Sequence, residues 1–238
     1  MAHYDAYLNH YDQVVARVLA ALEDAGLEER TLVVVTSNHG EELFEAGVVG
    51  HVKTYRDTLL RVPLVFSHPS LPAGKAVNEQ VQGVDLAPTL LALAGVPQDR
   101  GMHGLSLLPW LAEGAGAPLR RPLFSSNQPG EGCYRKGTLK LVGGRRPLMS
   151  QEPRPEACQL FQLFDLTRDP TEQDDVCPLR ATQAERMRDQ LAPWLQARVL
   201  EAEGTWLASP EEDFQKLLQE RGYWEVDEGD GGGAPGPG

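Results

Sequence analysis

Apolar positions repeat at helical spacing over residues 4–24. Tyr4, Tyr7, Leu8, Tyr11, Val14, Val15, Val18, Leu19 and Leu22 fall on one stripe, and Gly26 is a suitable stop. The stripe predicts a helix whose tyrosines belong to a core. A run of a different kind follows: Leu32, Val33, Val34 and Val35, apolar and mostly β-branched, which reads as a strand over 32–36 buried on both faces of a parallel sheet. Helix then strand is an αβ unit. Further along, 58–60 is a short amphipathic piece, 61–66 a second strand, and 86–94 a helix with Asp85 as its cap and Gly95 as its end. From about Pro122 the runs shorten. Residues 123–125, 133–136, 139–142 and 160–166 read as strands, with a hairpin turn at Gly137-Thr138. Helices are expected over 181–200, kinked by Pro193, and over 210–221, before a Gly- and Pro-rich tail.

The pattern predicts an α/β portion over residues 1–120, a smaller α+β portion with an antiparallel sheet over 121–226, and a disordered tail over 227–238. Composition agrees with a globular chain: 238 residues, 41% hydrophobic and 24% charged. The net charge of −12 disfavours nucleic acid and anionic membranes as partners. An anionic substrate would therefore need a local positive site. No apolar run reaches the ~18 residues of a membrane span, and no secretory leader pattern opens the chain. The compartment is not legible. Cys133, Cys158 and Cys177 are odd in number and irregular in spacing. Free thiols are expected, with one disulfide as the alternative.

Candidate chemistry gathers where the valine strand stops. Asn38, His39, Gly40, Glu41 and Glu42 follow it at once, and His51 and Lys53 come shortly after. In open α/β sheets ligands bind at the carboxyl ends of strands, and oxygen and imidazole donors there are suited to a metal. Asn38, His39 and His51 are expected to share one cleft. Glu41 and Glu42 read as structural, Asp57 and Arg61 as a local i,i+4 pair, and His3, His10, His68 and His103 as surface or loop histidines.

Four stretches together resemble the sulfatase family of the alkaline-phosphatase superfamily: TSNHGE, GHVKTYRDTLLRVPLVF, VDLAPTLLALAGVPQDRGMHGLSLLPWL and QLFDLTRDPTEQDDV. They stand in the family's order and cover about residues 4–176. The resemblance implies a partial alkaline-phosphatase-like parallel sheet with helices, plus a smaller C-terminal antiparallel sheet with a helix. It implies hydrolysis of a small anionic sulfate ester, with a divalent metal, usually calcium, at Asn38 and His39. His51, and with a less certain offset Lys53, would face the ester. Two departures stand out. Asn38 replaces the family's Asp, which removes a ligand charge. The C-x-P-S-R motif, whose Cys becomes the formylglycine nucleophile, is matched by none of the three cysteines. Two expectations follow: a chain that is incomplete and inactive alone, and one that associates through its incomplete sheet edge. A non-catalytic sulfatase-like protein and a phosphate or phosphonate ester hydrolase are the alternatives.

Overall fold

In the computed structural model the described residues are 2–205, apart from 46, 48, 52–53, 99–100, 113–117, 120, 129 and 145–152. Lys53, the expected helix over 210–221 and the expected tail over 227–238 lie outside them. Helix α1 spans Ala2–Asp24 and ends at Gly26, whose φ of 63° suits a residue without a Cβ. Its apolar stripe is not core. Tyr7 and Tyr11 are 65% and 62% exposed, and Leu8, Val18 and Leu19 are also exposed. The helical period was legible; what would cover the stripe is not among the described residues.

Strand β1 is Val33–Thr36. Two short strands follow, β2 (Glu42–Leu43) and β3 (Val49–Gly50), then the one-turn helix α2 (Asp57–Leu60) and strand β4 (Leu64–Ser67). The expected parallel pairing is corrected here. β1 and β4 run antiparallel, with Val33 opposite Ser67 and Thr36 opposite Leu64. Parallel neighbours need a crossover that carries the chain back along the full strand, usually a helix. Residues 37–63 supply a hairpin and a single helical turn instead. A β-branched apolar run favours a pleated surface and does not choose the direction of its neighbour. The two-sided burial is corrected too: Val35 and Val65 are exposed on this pair.

Helix α3 (Leu86–Leu93) stops ahead of Gly95, and helix α4 covers Leu108–Leu111. Asp85 does not cap α3 with its side chain. Its carboxylate accepts the Gln82 and Leu105 N–H groups at 2.8 and 2.9 Å and pairs with Arg121. A buried carboxylate with that many donors ties the loop before α4 to the start of α3.

The remaining strands make one antiparallel sheet in sequence order: β5 (Leu123–Gln128), β6 (Glu131–Lys136), β7 (Leu139–Gly143) and β8 (Phe161–Asp165). Gly137, at φ 62°, turns β6 into β7 where the hairpin was expected. Helix α5 (Ala181–Thr205) includes Pro193 and lies on this sheet. Met187, Leu191 and Leu195 of α5 join Tyr134, Leu141, Phe161 and Leu163 in the core. The expected free thiols are corrected at two positions: Cys158 and Cys177 form a disulfide with Cα atoms 5.7 Å apart. The short turns Glu156–Cys158 and Cys177–Arg180 both pack beside α5, which is a tertiary fact that spacing does not carry. Cys133 alone is a free cysteine, buried in β6.

Candidate functional site

The loop after β1 is held from behind. The Gly40 N–H donates to the Leu59 carbonyl at 2.8 Å. A Cβ at Gly40 would lie 2.0 Å from the Thr58 carbonyl oxygen, so the loop rests on α2 backbone with no room for a side chain. Ser37 Oγ donates to the His39 carbonyl at 2.7 Å. His39 is exposed, and its Nδ1 lies 2.8 Å from the Gly40 carbonyl oxygen.

The β2–β3 pairing does the rest. Glu42 lies opposite Gly50 and Leu43 opposite Val49. Continuing that register by one residue sets Glu41 opposite His51, and His51 Nδ1 lies 3.4 Å from Glu41 Oε2. Side chains alternate along a strand, so the next carboxylate goes the other way. Glu42 is fully buried and accepts a hydrogen bond from Thr54 Oγ1 at 3.0 Å. At the hairpin tip Phe44 takes φ 80°, uncommon for a residue with a side chain, and is 72% exposed.

The expected meeting of the two imidazoles is present: the rings of His39 and His51 are 4.7 Å apart at their centroids. Glu41 was read as structural, yet ligand atoms of His39, Glu41 and His51 all lie within 4.8 Å of one another. Counting residues back from the hairpin tip would have found it, but two-residue strands give no periodic signal. Asn38 sits beside His39 in sequence and is exposed, its amide oxygen accepting the His39 N–H at 3.1 Å.

The donor set decides which cation it suits. Calcium takes six to eight oxygens. Here one carboxylate is presented, with two imidazoles and an amide oxygen already engaged. These residues can hold a divalent cation, and they do not by themselves fit calcium.

The site is braced by the C-terminal sheet. Asp57, at the start of α2, pairs with Lys140 of β7 and Arg135 of β6 rather than with Arg61, which corrects the local pair expected from spacing. Glu172 accepts the Asp57 N–H at 2.6 Å and pairs with Lys140 at 2.7 Å. Arg56 Nη1 donates to the Thr171 carbonyl at 3.2 Å. Tyr55 Oη donates to Asn127 Oδ1 at 2.6 Å. Burial, ahead of any electrostatic cause, pushes the Tyr55 hydroxyl above its ordinary range. His3, His10 and His103 are exposed, and His68 is half-buried with Nδ1 2.7 Å from Ser70 Oγ.

This architecture is shared with ester hydrolases of the alkaline-phosphatase-like fold. A sulfatase described as putative from Bacteroides thetaiotaomicron superposes with a TM-score of 0.64 at 22% identity, over 87% of this chain and 45% of its own. A phosphonate monoester hydrolase from Silicibacter pomeroyi gives 0.61 at 26% identity, over 75% and 37%. Residues 1–96 match the Sulfatase family, over part of the span in which the sequence resembles it. Among curated relatives, the extracellular sulfatase SULF-1 homolog of Drosophila melanogaster is 39% identical over 104 residues, 44% of this chain and 9% of that one. Arylsulfatase K of Danio rerio is 36% identical over 115 residues, 47% of this chain and 21% of that one. The chain thus spans 9% and 21% of these two relatives.

Proposed function

We propose that this chain supplies part of a sulfuric ester hydrolase site. The carrying observation is the convergence of His39 and His51 after β1, inside the segment that matches the Sulfatase family. In this reading His51 and Lys53 face the anionic ester, and Asn38 and His39 border the metal. An imidazole can protonate the departing alkoxide oxygen, and a lysine ammonium can hold equatorial oxygens of the ester. The nucleophile, a formylglycine by resemblance, belongs to a segment that these 238 residues do not carry. That segment would seat against the exposed apolar stripe of α1 and the open edge of the β1–β4 pair. The likeness to a phosphonate monoester hydrolase favours phosphate or phosphonate esters as the second reading.

The test is reconstitution. The purified chain is assayed with an activated aryl sulfate and an aryl phosphate, alone and with a separately expressed polypeptide bearing the C-x-P-S-R motif. Negligible turnover alone and turnover on mixing, lost in His51→Ala, is the expected result. Preference for the phosphate would select the second reading. Turnover by the chain alone, abolished by His39→Ala, would mean the catalytic set is complete here. No turnover in any mixture would make the chain a non-catalytic relative.

A further inference from the structure

The turn after β8, residues 169–174, lies in the family-like stretch QLFDLTRDPTEQDDV and reaches both supports of the imidazole pair. On one side is α2. Glu172, almost fully buried, accepts the Asp57 N–H with its carboxylate and Arg56 Nη1 with its carbonyl. The Leu59 carbonyl of α2 accepts the Gly40 N–H, and the Gly40 carbonyl accepts His39 Nδ1–H. On the other side is the β2–β3 hairpin. Gln173 Nε2 donates to the Glu45 carbonyl at 3.0 Å, in the loop between the two strands. His51 follows β3 at once, held by that pairing. Two consecutive residues thus grip the carrier of each ring.

The turn is stiff enough to act as a brace. Asp169 accepts the Asp174 N–H at 2.8 Å and Thr171 Oγ1 at 3.2 Å, and its own carbonyl accepts the Glu172 N–H at 3.2 Å. Glu172 takes φ 58°, a conformation that a residue with a side chain keeps only where its surroundings fix it. Held so, its main chain and its side chain both meet α2. We infer that Glu172 and Gln173 are positioning residues: the turn after β8 sets the spacing between His39 and His51. The spacing itself is a matter of geometry. Its effect on turnover rests on the ester hydrolase reading, where a displacement of about 1 Å costs on the order of a hundredfold in rate.

The test reads the rings directly. In the histidine-labelled chain, NMR cross-relaxation between ring protons reports the 4.7 Å centroid spacing of His39 and His51. Glu172→Ala removes the acceptor at the start of α2 and should abolish that signal. Glu172→Gln keeps an acceptor oxygen of the same reach and should restore it. Gln173→Ala, at an exposed position, should weaken the signal by moving the hairpin. Leu191→Ala, in the core of α5, is the comparison: it should lower the melting temperature at least as far as Glu172→Ala while the ring signal persists. In mixtures with the polypeptide bearing the C-x-P-S-R motif, both alanine variants at the turn should lower kcat by about tenfold to a hundredfold, with a smaller change in KM. A ring signal missing from the unaltered chain, unchanged in both turn variants, or lost equally in Leu191→Ala would overturn the inference. Should Glu172→Ala fail to fold, Gln173→Ala decides alone. Ring signals lost as expected, in mixtures that never hydrolyse an ester, sink only the hydrolase reading. Turnover on mixing that both turn variants leave intact sinks only this one.

Discussion

Lys140 Nζ lies 2.6 Å from Asp57 Oδ1, although 83 residues separate them and Lys140 is almost fully buried. The same ammonium meets Glu172, so one cation joins α2 to the β7 strand and to the turn after β8. Removing it leaves two carboxylates without their main partner. Lys140→Met should therefore destabilise the fold by about 3 kcal/mol, in the range seen when one member of a buried pair is deleted. Urea unfolding measures it, and a change under about 0.5 kcal/mol would mean that water already satisfies the pair.

The Cys158–Cys177 disulfide closes a loop between two turns that pack on α5. Cys158→Ser with Cys177→Ser should cost roughly 3 kcal/mol, the chain-entropy estimate for a loop of this size. Intact mass measured before and after reduction checks the bond itself; an unchanged mass would remove the basis for the prediction.

Cys133 gives a pH dependence with a definite sign. Burial, ahead of the nearby Lys140 charge that opposes it, pushes this thiol up to about 11 from 9.0. The folded chain keeps the proton where the unfolded chain has lost it. Stability should hold below about pH 9 and fall between about 9 and 11, by up to tenfold in the unfolding equilibrium per pH unit. Cys133→Ala should flatten that fall. A slope that persists unchanged in Cys133→Ala would assign it to other groups.

Gly40→Ala should damage the site more than the fold. The added methyl would meet the Thr58 carbonyl at 2.0 Å, and backbone on both sides has to shift. The shift moves His39 relative to His51. Metal affinity is expected to drop about tenfold or more while the disulfide-linked sheet and α5 stay folded. Calorimetric titration beside circular dichroism reads both; retained affinity would show that the loop can relax around the methyl.

The exposed stripe of α1 makes the last prediction. Tyr7→Lys with Tyr11→Lys should leave the melting temperature nearly unchanged, since surface substitutions stay within about ±0.5 kcal/mol. Association should suffer. Large exposed apolar patches mark interaction surfaces, and sedimentation should show less self-association, or weaker capture of a nucleophile-bearing segment. Melting that falls steeply would place those tyrosines in a core after all.

How far the sequence carried the structure depends on the range of each interaction. The helix at α1 and the hairpin at Gly137 are local, and period and turn chemistry revealed them. The family match followed from motifs and needed no contacts. Strand direction around β1 was misread, because a valine run looks alike in either pairing. The nearness of Glu41 to His51 was not legible for a related reason: it comes from a hairpin too short to show alternation. Asp57 was assigned to Arg61 four residues away, while its real partners sit on β6 and β7. Cys158 and Cys177 likewise meet only through tertiary packing.

The short β2–β3 hairpin has a consequence for how this chain could drift under mutation. Its tip, with Gly47 at φ 75° and the outward Phe44, can lengthen or shorten without touching the pairs below it. What it does not tolerate is a change of phase. Sliding one strand past the other by a single position reverses which side chains face out. Glu42 would then swing from its burial place beside Thr54 toward His51, and Glu41 would turn inward with no hydroxyl waiting for it. Neighbouring glutamates of identical chemistry are thus not interchangeable. A lineage of such chains should vary freely in the length of the tip while keeping odd and even positions strictly in step on its two arms.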